Sequence, residues 1–472
     1  MKKRNRLIKI ISCFVLSLLL TQAVSVSACS TFMLHKGDNL VFGHNLNEGD
    51  MGVPGLLFIN KRGVFKTGRS LNELMFKEVT KPSNLTWISR YGSITFNNFG
   101  KDLPDGGMNE AGFYIWEMNE DADYPKGDSL YKLSQMGWMQ YLLDNCSTLD
   151  EALEMTKSIE IDGWGWHYFM ADASGDCASL AFVDGKMKIN RDKKMPVKGL
   201  FNTPYDREME VAKYFKNFGG QYEVEIDNPR IPRFVKTDWL IKNYDPSQNV
   251  VDYGFYMLDK IKVDDEAEWS IIFDAVAHKV HFRTRINPAI KELSMKDIDF
   301  SAQAGPSLIQ NMDIEKGGDV LILLHPYNST EMRDFLISLG EIAGQGFFKM
   351  GGLTFEECVH NMTNHSLRAA EPESQFFKGR WETHPNDPEN KDALFLNLTT
   401  IADAVSGEVM NSKGDHYSLD NLSMINKDLR ATFKTKSGTI IEIQARIDGN
   451  TMTLDQYGTE DYYGTLSLTR QE

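Results

Sequence analysis

The sequence predicts an α+β fold in which helices cover stacked sheets, followed by an all-β C-terminal part. Three observations carry this. Short strand patterns separated by tight-turn residues fill the first hundred positions after residue 29. Two consecutive helical patterns interrupt them and strands return, an order that suits helices layered on sheets. From about residue 375 every periodic segment reads as a strand.

The early strands are Ser30–Leu34, Asn39–Asn45, Gly55–Asn60 and Gly63–Lys66, with turns at Lys36-Gly37-Asp38 and Lys61-Arg62-Gly63. Ser93–Asn97 and Phe113–Met118 continue the pattern. Ser129–Asp144 has an apolar face at helical spacing. Thr148-Leu149-Asp150-Glu151 forms a capping box that opens a second helix, Leu149–Ile159. Strands resume at Trp166–Asp172, Ala178–Val183 and Lys186–Asn190. Glu268–Asp274 and Lys279–Thr284 read as a hairpin, and Thr330–Ile342 and Thr354–Asn364 as helices. The pattern breaks near Ala369–Pro372. Beyond it lie strands at Leu394–Leu398, Glu408–Met410, Leu429–Lys434, Thr439–Ile447, Thr451–Gln456 and Gly464–Thr469, with hairpin turns at Lys436-Ser437-Gly438 and Asp448-Gly449-Asn450. Gly379-Arg380-Trp381 has the Gly-x-Trp form found near the start of lipocalin-like barrels.

The chain has 472 residues, more than one ordinary domain, and 42% hydrophobic residues, enough for a sizeable core. Its formal net charge of -15 makes it a poor candidate for holding nucleic acid, which needs clustered Lys and Arg. The basic stretch at residues 1–9 precedes an apolar run, Ile10 to Leu20, too short to span a bilayer. Val26 and Ala28 are small residues at -3 and -1 of a cut before Cys29, so residues 1–28 read as a secretory signal peptide. No later apolar run is long enough for a membrane span. The remaining cysteines, Cys29, Cys146, Cys177 and Cys358, are widely spaced, with no C-x-x-C pair. A disulfide among them stays open.

Cys29 admits three readings: a lipidated cysteine, a catalytic N-terminal nucleophile, or an incidental residue. Lipoproteins place a polar tether after the lipidated cysteine. Here Ser30-Thr31-Phe32-Met33-Leu34 enters a strand at once, which favours catalysis. A free thiol titrates near 8.5 and a chain-terminal α-amine near 8, so the amine of the same residue can take the thiol proton and later return one to a leaving amine.

Several segments then resemble the choloylglycine hydrolase family of linear amide C–N hydrolases, which includes bile salt hydrolases and penicillin V acylases. They are Cys29-Ser30-Thr31-Phe32, Phe42-Gly43-His44-Asn45-Leu46-Asn47, Gly107-Met108-Asn109-Glu110-Ala111-Gly112-Phe113, Asn145 to Ala152, His167 to Asp172 with Gly175, Phe201-Asn202-Thr203-Pro204, Pro232 to Lys236 and Trp269 to Asp274. They occur in family order over about residues 29–300. The resemblance implies the four-layer αββα sandwich of N-terminal-nucleophile hydrolases. It implies Cys29 as nucleophile, Asn202 and Asn119 at the oxyanion hole, and Arg233 as a cation near the nucleophile. Read alone, Asn202 before Thr-Pro is a turn residue, Arg233 a surface arginine and Asn119 a solvated strand end.

Two positions depart from the family pattern, which reads Gly-Arg-Asn-x-Asp here. His44 stands where an arginine is expected, and Asn47 where an aspartate is. His44 can be a cation or a neutral donor near neutral pH. Asn47 can accept a hydrogen bond but carries no charge, and Asp50 is a candidate for the missing carboxylate. His167, beside Trp164 and Trp166, reads as a buried, satisfied histidine. The aromatics near 164–168 read as core. His360 and His365 have the wrong spacing for a metal pair, and no phosphate loop, G-x-S-x-G or H-E-x-x-H occurs.

The expected organisation is a signal peptide (1–28), a hydrolase domain (29–370, a core of 29–300 with a helical extension) and a small β-rich, barrel-like domain (371–472). The expected function is hydrolysis of a linear amide of an N-acylated small molecule: a conjugated bile acid, a penicillin V-like amide, an N-acyl lactone or an N-acyl amino acid. No metal or organic cofactor is needed, and a homo-oligomer is left open. The expected location is secreted or periplasmic. The competing readings are a lipid-anchored surface protein with an inactive, ligand-binding hydrolase-like body, and a dipeptidase or acyltransferase of the same fold.

Overall fold

The computed structural model describes residues 29–47, 55–77, 79, 82–127, 129, 131–263, 267–345, 347–349, 351–363, 378–383, 394–401, 404–411, 413–458 and 462–471. The signal-peptide segment, Asp50, His365 and the break at 369–372 lie outside them.

Two antiparallel-dominated sheets stack face to face. The first has seven strands, in the order Gly199–Phe201, Ser30–Lys36, Asn39–Leu46, Trp269–Asp274, Lys279–Thr284, Lys291–Ser294 and Gly318–Asp319. The second has nine, in the order Lys186–Arg191, Cys177–Val183, Trp166–Ala171, Tyr114–Asn119, Gly106–Asn109, Ser93–Asn97, Leu56–Asn60, Ser307–Ile309 and His325–Pro326. Strands buried on both faces lose the simple alternation of apolar and polar residues, and Leu56–Asn60, Ser93–Asn97 and Trp166–Ala171 are buried throughout.

Helices supply the outer layers. Arg233–Asn243 and Val250–Ile261 pack on the seven-stranded sheet. Asn249 caps the second of these by accepting from the backbone N–H groups of Val251 and Asp252. On the nine-stranded sheet lie Gln135–Asn145 and Leu149–Thr156. The capping box expected at Thr148 and Glu151 is present, with both reciprocal bonds made. The single long helix expected over Ser129–Asp144 instead begins as a short strand, Lys132–Ser134, paired with Glu160–Asp162, and the helix starts where Ser134 caps the Gly137 N–H. The stretch after residue 300 is less helical than expected: Ser307–Ile309 joins the nine-stranded sheet beside Leu56–Asn60 before the helices Ser329–Ala343 and Phe355–Thr363 begin. The architecture is the αββα sandwich.

The C-terminal strands form an eleven-stranded sheet that curls around its own core, with Trp381 fully buried and the Arg470 guanidinium 4.6 Å from its ring centre. This sheet does not stop near residue 370. Its last two strands, Thr86–Ile88 and Phe65–Thr67, come from the N-terminal half, with Trp87 and Ile88 paired to Ile425 and Met424. Beneath that hairpin lies a buried charge network. Lys66 Nζ reaches Asp102 at 2.7 Å and Asp144 at 2.8 Å, Lys101 holds the other oxygen of Asp102, and Trp87 and Gln140 donate to Asp144. The β-rich part is thus built onto the sandwich through shared hydrogen bonds.

Candidate active site

Cys29 immediately precedes the strand Ser30–Lys36. Ser30 pairs with Asn45 on one neighbouring strand and with Phe201 on the other, so the same register puts Cys29 beside Leu46 and Asn202. Side chains alternate along a strand and directly paired residues share a face. Thr31 points into the space between the sheets, where its hydroxyl meets the Tyr114 hydroxyl at 3.0 Å; Cys29, two residues earlier, shares that face. Cys29 is only 1% exposed.

The packing across the sandwich gives successive rungs. Phe42 stacks on Tyr114 at 4.8 Å and His44 on Trp116 at 4.0 Å, so the two strands run side by side and Leu46 falls next to Met118. Cys29 is the lateral neighbour of Leu46. Met118 pairs with His167, and Met118, Leu46 and Cys29 share one buried cluster. Gly106 allows this geometry: a Cβ there would come within 2.2 Å of the Trp116 ring.

Arg233 opens the helix Arg233–Asn243, just after Pro232, whose ring sets the helical entry. Its Nη1 donates to the Cys29 carbonyl oxygen at 3.1 Å, and its guanidinium lies 4.9 Å from the Phe201 ring centre. Burial pulls the Arg233 pKa down, while the Cys29 thiolate and the Glu208 carboxylate support its charge. Glu208, on the helix Tyr205–Ala212, was not a sequence candidate. Burial raises its pKa, opposed by Arg233 and by a hydrogen bond from Thr203. Its only signal in the sequence was its closeness to Asn202.

The other sequence candidates divide. Asn202 adjoins Cys29 by register and is half-buried. Asn47 is buried and donates through Nδ2 to the Val263 carbonyl at 3.3 Å, while its Oδ1 has no hydrogen-bond partner among the described residues. His44 lies deep in the sandwich. Of the two alternatives expected, cation or neutral donor, burial favours the second: His44 is fully buried and stacked on Trp116, which lowers its pKa well below the ordinary imidazole value. Neither ring nitrogen has a partner among the described residues. Asn119 is exposed at the end of its strand, and alternation turns its side chain to the face opposite Trp116 and Met118. His167 is buried as expected; Nδ1 lies against the Glu120 carboxylate, and Nε2 has no hydrogen-bond partner among the described residues.

The Gly107-Met108-Asn109-Glu110 segment is structural. Asn109 accepts from the N–H groups of Ala111 and Phe113 and donates to the carbonyls of Leu143 and Cys146, tying the strand turn to the helix end. No disulfide links Cys29, Cys146, Cys177 or Cys358 among the described residues, and burial pushes the Cys177 thiol up to about 12. Among the described residues no cluster of His, Cys, Asp or Glu can hold a metal ion, and no helix is long and apolar enough to cross a membrane.

Two stacked sheets between helical layers give the αββα fold that this chain shares with solved amide hydrolases. The solved penicillin V acylase from Agrobacterium tumefaciens superposes with a TM-score of 0.54 at 21% identity, covering 64% of this chain and 98% of that one. Within that class, residues 29–220 match the family model of the linear amide C–N hydrolases, choloylglycine hydrolase family, which bears out the resemblance read from the sequence. A penicillin V acylase from Pectobacterium atrosepticum is 25% identical over 358 residues, 65% of this chain and 91% of the relative. A variant of the conjugated bile acid hydrolase from Clostridium perfringens superposes more loosely, with a TM-score of 0.47 at 15% identity over 64% of this chain and 97% of that one.

Proposed function

We propose that this protein hydrolyses the linear C–N amide of an N-acylated small molecule, with Cys29 as nucleophile and the α-amine of Cys29 as base once residues 1–28 are removed. The observation that carries the reading is the position of Cys29: buried at the start of an interior strand, beside Asn202, with the Arg233 guanidinium on its carbonyl. A diacylglycerol on a cysteine with 1% exposure would have to displace packed strand neighbours, which weighs against the lipoprotein reading.

The α-amine takes the thiol proton, and the thiolate attacks the acyl carbon. The carbonyl oxygen becomes an oxyanion, to which the Asn202 amide N–H groups donate; one such donor is worth about 3 kcal/mol. The ammonium returns its proton to the leaving nitrogen as the C–N bond breaks, leaving a thioester on Cys29. Water, deprotonated by the same amine, then releases the acid and restores the thiol. Arg233 favours the anionic forms. Asn47 Oδ1 receives an N–H of the α-amine and orients it, and His44 packs against Trp116 without taking part in proton transfer. Asn119 is given no step, because its amide faces away. The substrate is a penicillin V-like amide, a conjugated bile acid or an N-acyl amino acid, met outside the cytoplasm.

The test is a panel of those three amides with the exported protein, its intact mass and Cys29→Ala. A mass for residues 29–472 with an unmodified amino terminus, hydrolysis of at least one amide, and complete loss in a folded Cys29→Ala variant are expected. A diacylglycerol mass increment, or parent-rate hydrolysis by Cys29→Ala, refutes the mechanism.

A further inference from the structure

The reaction above leaves unused a group of buried ring nitrogens on the interior face next to Cys29. Burial of a polar atom without a partner costs on the order of 1–3 kcal/mol, and such atoms are rare in folded proteins. Here four are gathered on two adjacent rungs: His167 Nε2, Trp116 Nε1, and both nitrogens of His44. All three residues are no more than 1% exposed. Trp116 pairs with Phe169 and Met118 with His167, so Trp116 and His167 are diagonal neighbours on one face, close enough for long side chains to meet one bound group.

Their chemistry is specific. The Glu120 carboxylate lies against Nδ1 of His167 and holds the ring with Nε2 turned to the interior face. The Trp116 indole N–H can only donate. A hydroxyl suits both: its oxygen accepts from Trp116 Nε1, and it can donate to His167 Nε2 or accept from it. An unsubstituted alkyl chain meets neither.

We propose that His167, oriented by Glu120, and Trp116 form a polar subsite that selects acyl groups bearing a hydroxyl within a few bonds of the scissile carbonyl. This rests on Cys29 as the residue that receives the acyl group, because the subsite is defined by its position one rung away. Sites built to bond a substrate hydroxyl reject analogues that lack it more strongly than apolar pockets reject a missing methylene.

The test reads binding without requiring turnover. The mature protein is incubated with 3-hydroxyoctanoylglycine or octanoylglycine, and protection of Cys29 from iodoacetamide is followed by peptide mass. The hydroxyacyl compound is expected to protect at a concentration about tenfold lower or better, one hydrogen bond's worth. His167→Leu and, independently, Trp116→Phe are expected to narrow that ratio to about twofold; the second variant serves if the first does not fold. Equal protection by the two compounds, protection by neither, or a ratio unchanged in a folded variant overturns the subsite. Failure of the catalytic reading shows separately, as protection without hydrolysis of either compound.

Discussion

Replacing Arg233 with Met tests the electrostatic argument at Cys29. The variant keeps the length and apolar body of the side chain but removes the donor to the Cys29 carbonyl at 3.1 Å and the cation over the Phe201 ring. The carbonyl bond is common to thiol and thiolate, so what the variant changes in reactivity is the cation's support of the thiolate, about one to two pKa units for a close opposite charge. At about tenfold per pKa unit, alkylation of Cys29 by iodoacetamide at neutral pH should slow by about 10- to 100-fold. The assay is the pseudo-first-order rate of labelling of the Cys29 peptide, which needs no substrate. Glu208 complicates a single variant, because it loses its buried counter-charge. Arg233→Met with Glu208→Gln separates the two effects: if the slowing persists, it comes from the lost cation and not from a stranded carboxylate. Labelling of Arg233→Met at the parent rate would refute the role given to Arg233.

Two further outcomes concern the scaffold. Lys66→Met strands Asp144, whose side chain is fully buried, and should cost about 3–5 kcal/mol in urea unfolding, whereas a loss under about 1 kcal/mol would mean the network is relaxed by other contacts. Asp162 is lifted by burial to about 6, although it accepts from the N–H groups of Leu71 and Asn72. Its folded pKa lies above the ordinary carboxyl value near 4, so the folded state binds the proton more tightly and stability falls as pH rises from about 4 to 6, by up to about 3 kcal/mol. Asp162→Asn should remove that slope. The melting temperatures of variant and parent, compared at pH 4.5 and 7.5, check it: an unchanged difference between them would show that Asp162 titrates normally.

The strands of the sandwich were legible because turn residues punctuate them, and the helix Leu149–Thr156 because its cap is written in four consecutive residues. Lys132–Ser134 was not, since three residues inside an apolar stretch carry no period, and only pairing with Glu160–Asp162 makes them a strand. The membership of Phe65–Thr67 and Thr86–Ile88 in the C-terminal sheet was equally hidden, because strand pairing across more than three hundred residues leaves no local mark.

At the site, the sequence by itself determined the residue types: a cysteine opening a strand, Asn202 before a proline, an arginine at 233, and the absence of an arginine at 44 and an aspartate at 47. Their meaning depended on tertiary structure. Whether His44 is charged follows from the dielectric around it, which Trp116 and the opposing sheet create. Whether Asn119 can present its amide to Cys29 follows from which face its strand turns inward. That His167 sets Nδ1 against a carboxylate follows from Glu120, at the end of the neighbouring strand, and its Nε2 has no partner among the described residues. Charge state, facing and hydrogen-bond satisfaction are properties of neighbours brought together by the packing of two sheets, and one-dimensional spacing does not carry them.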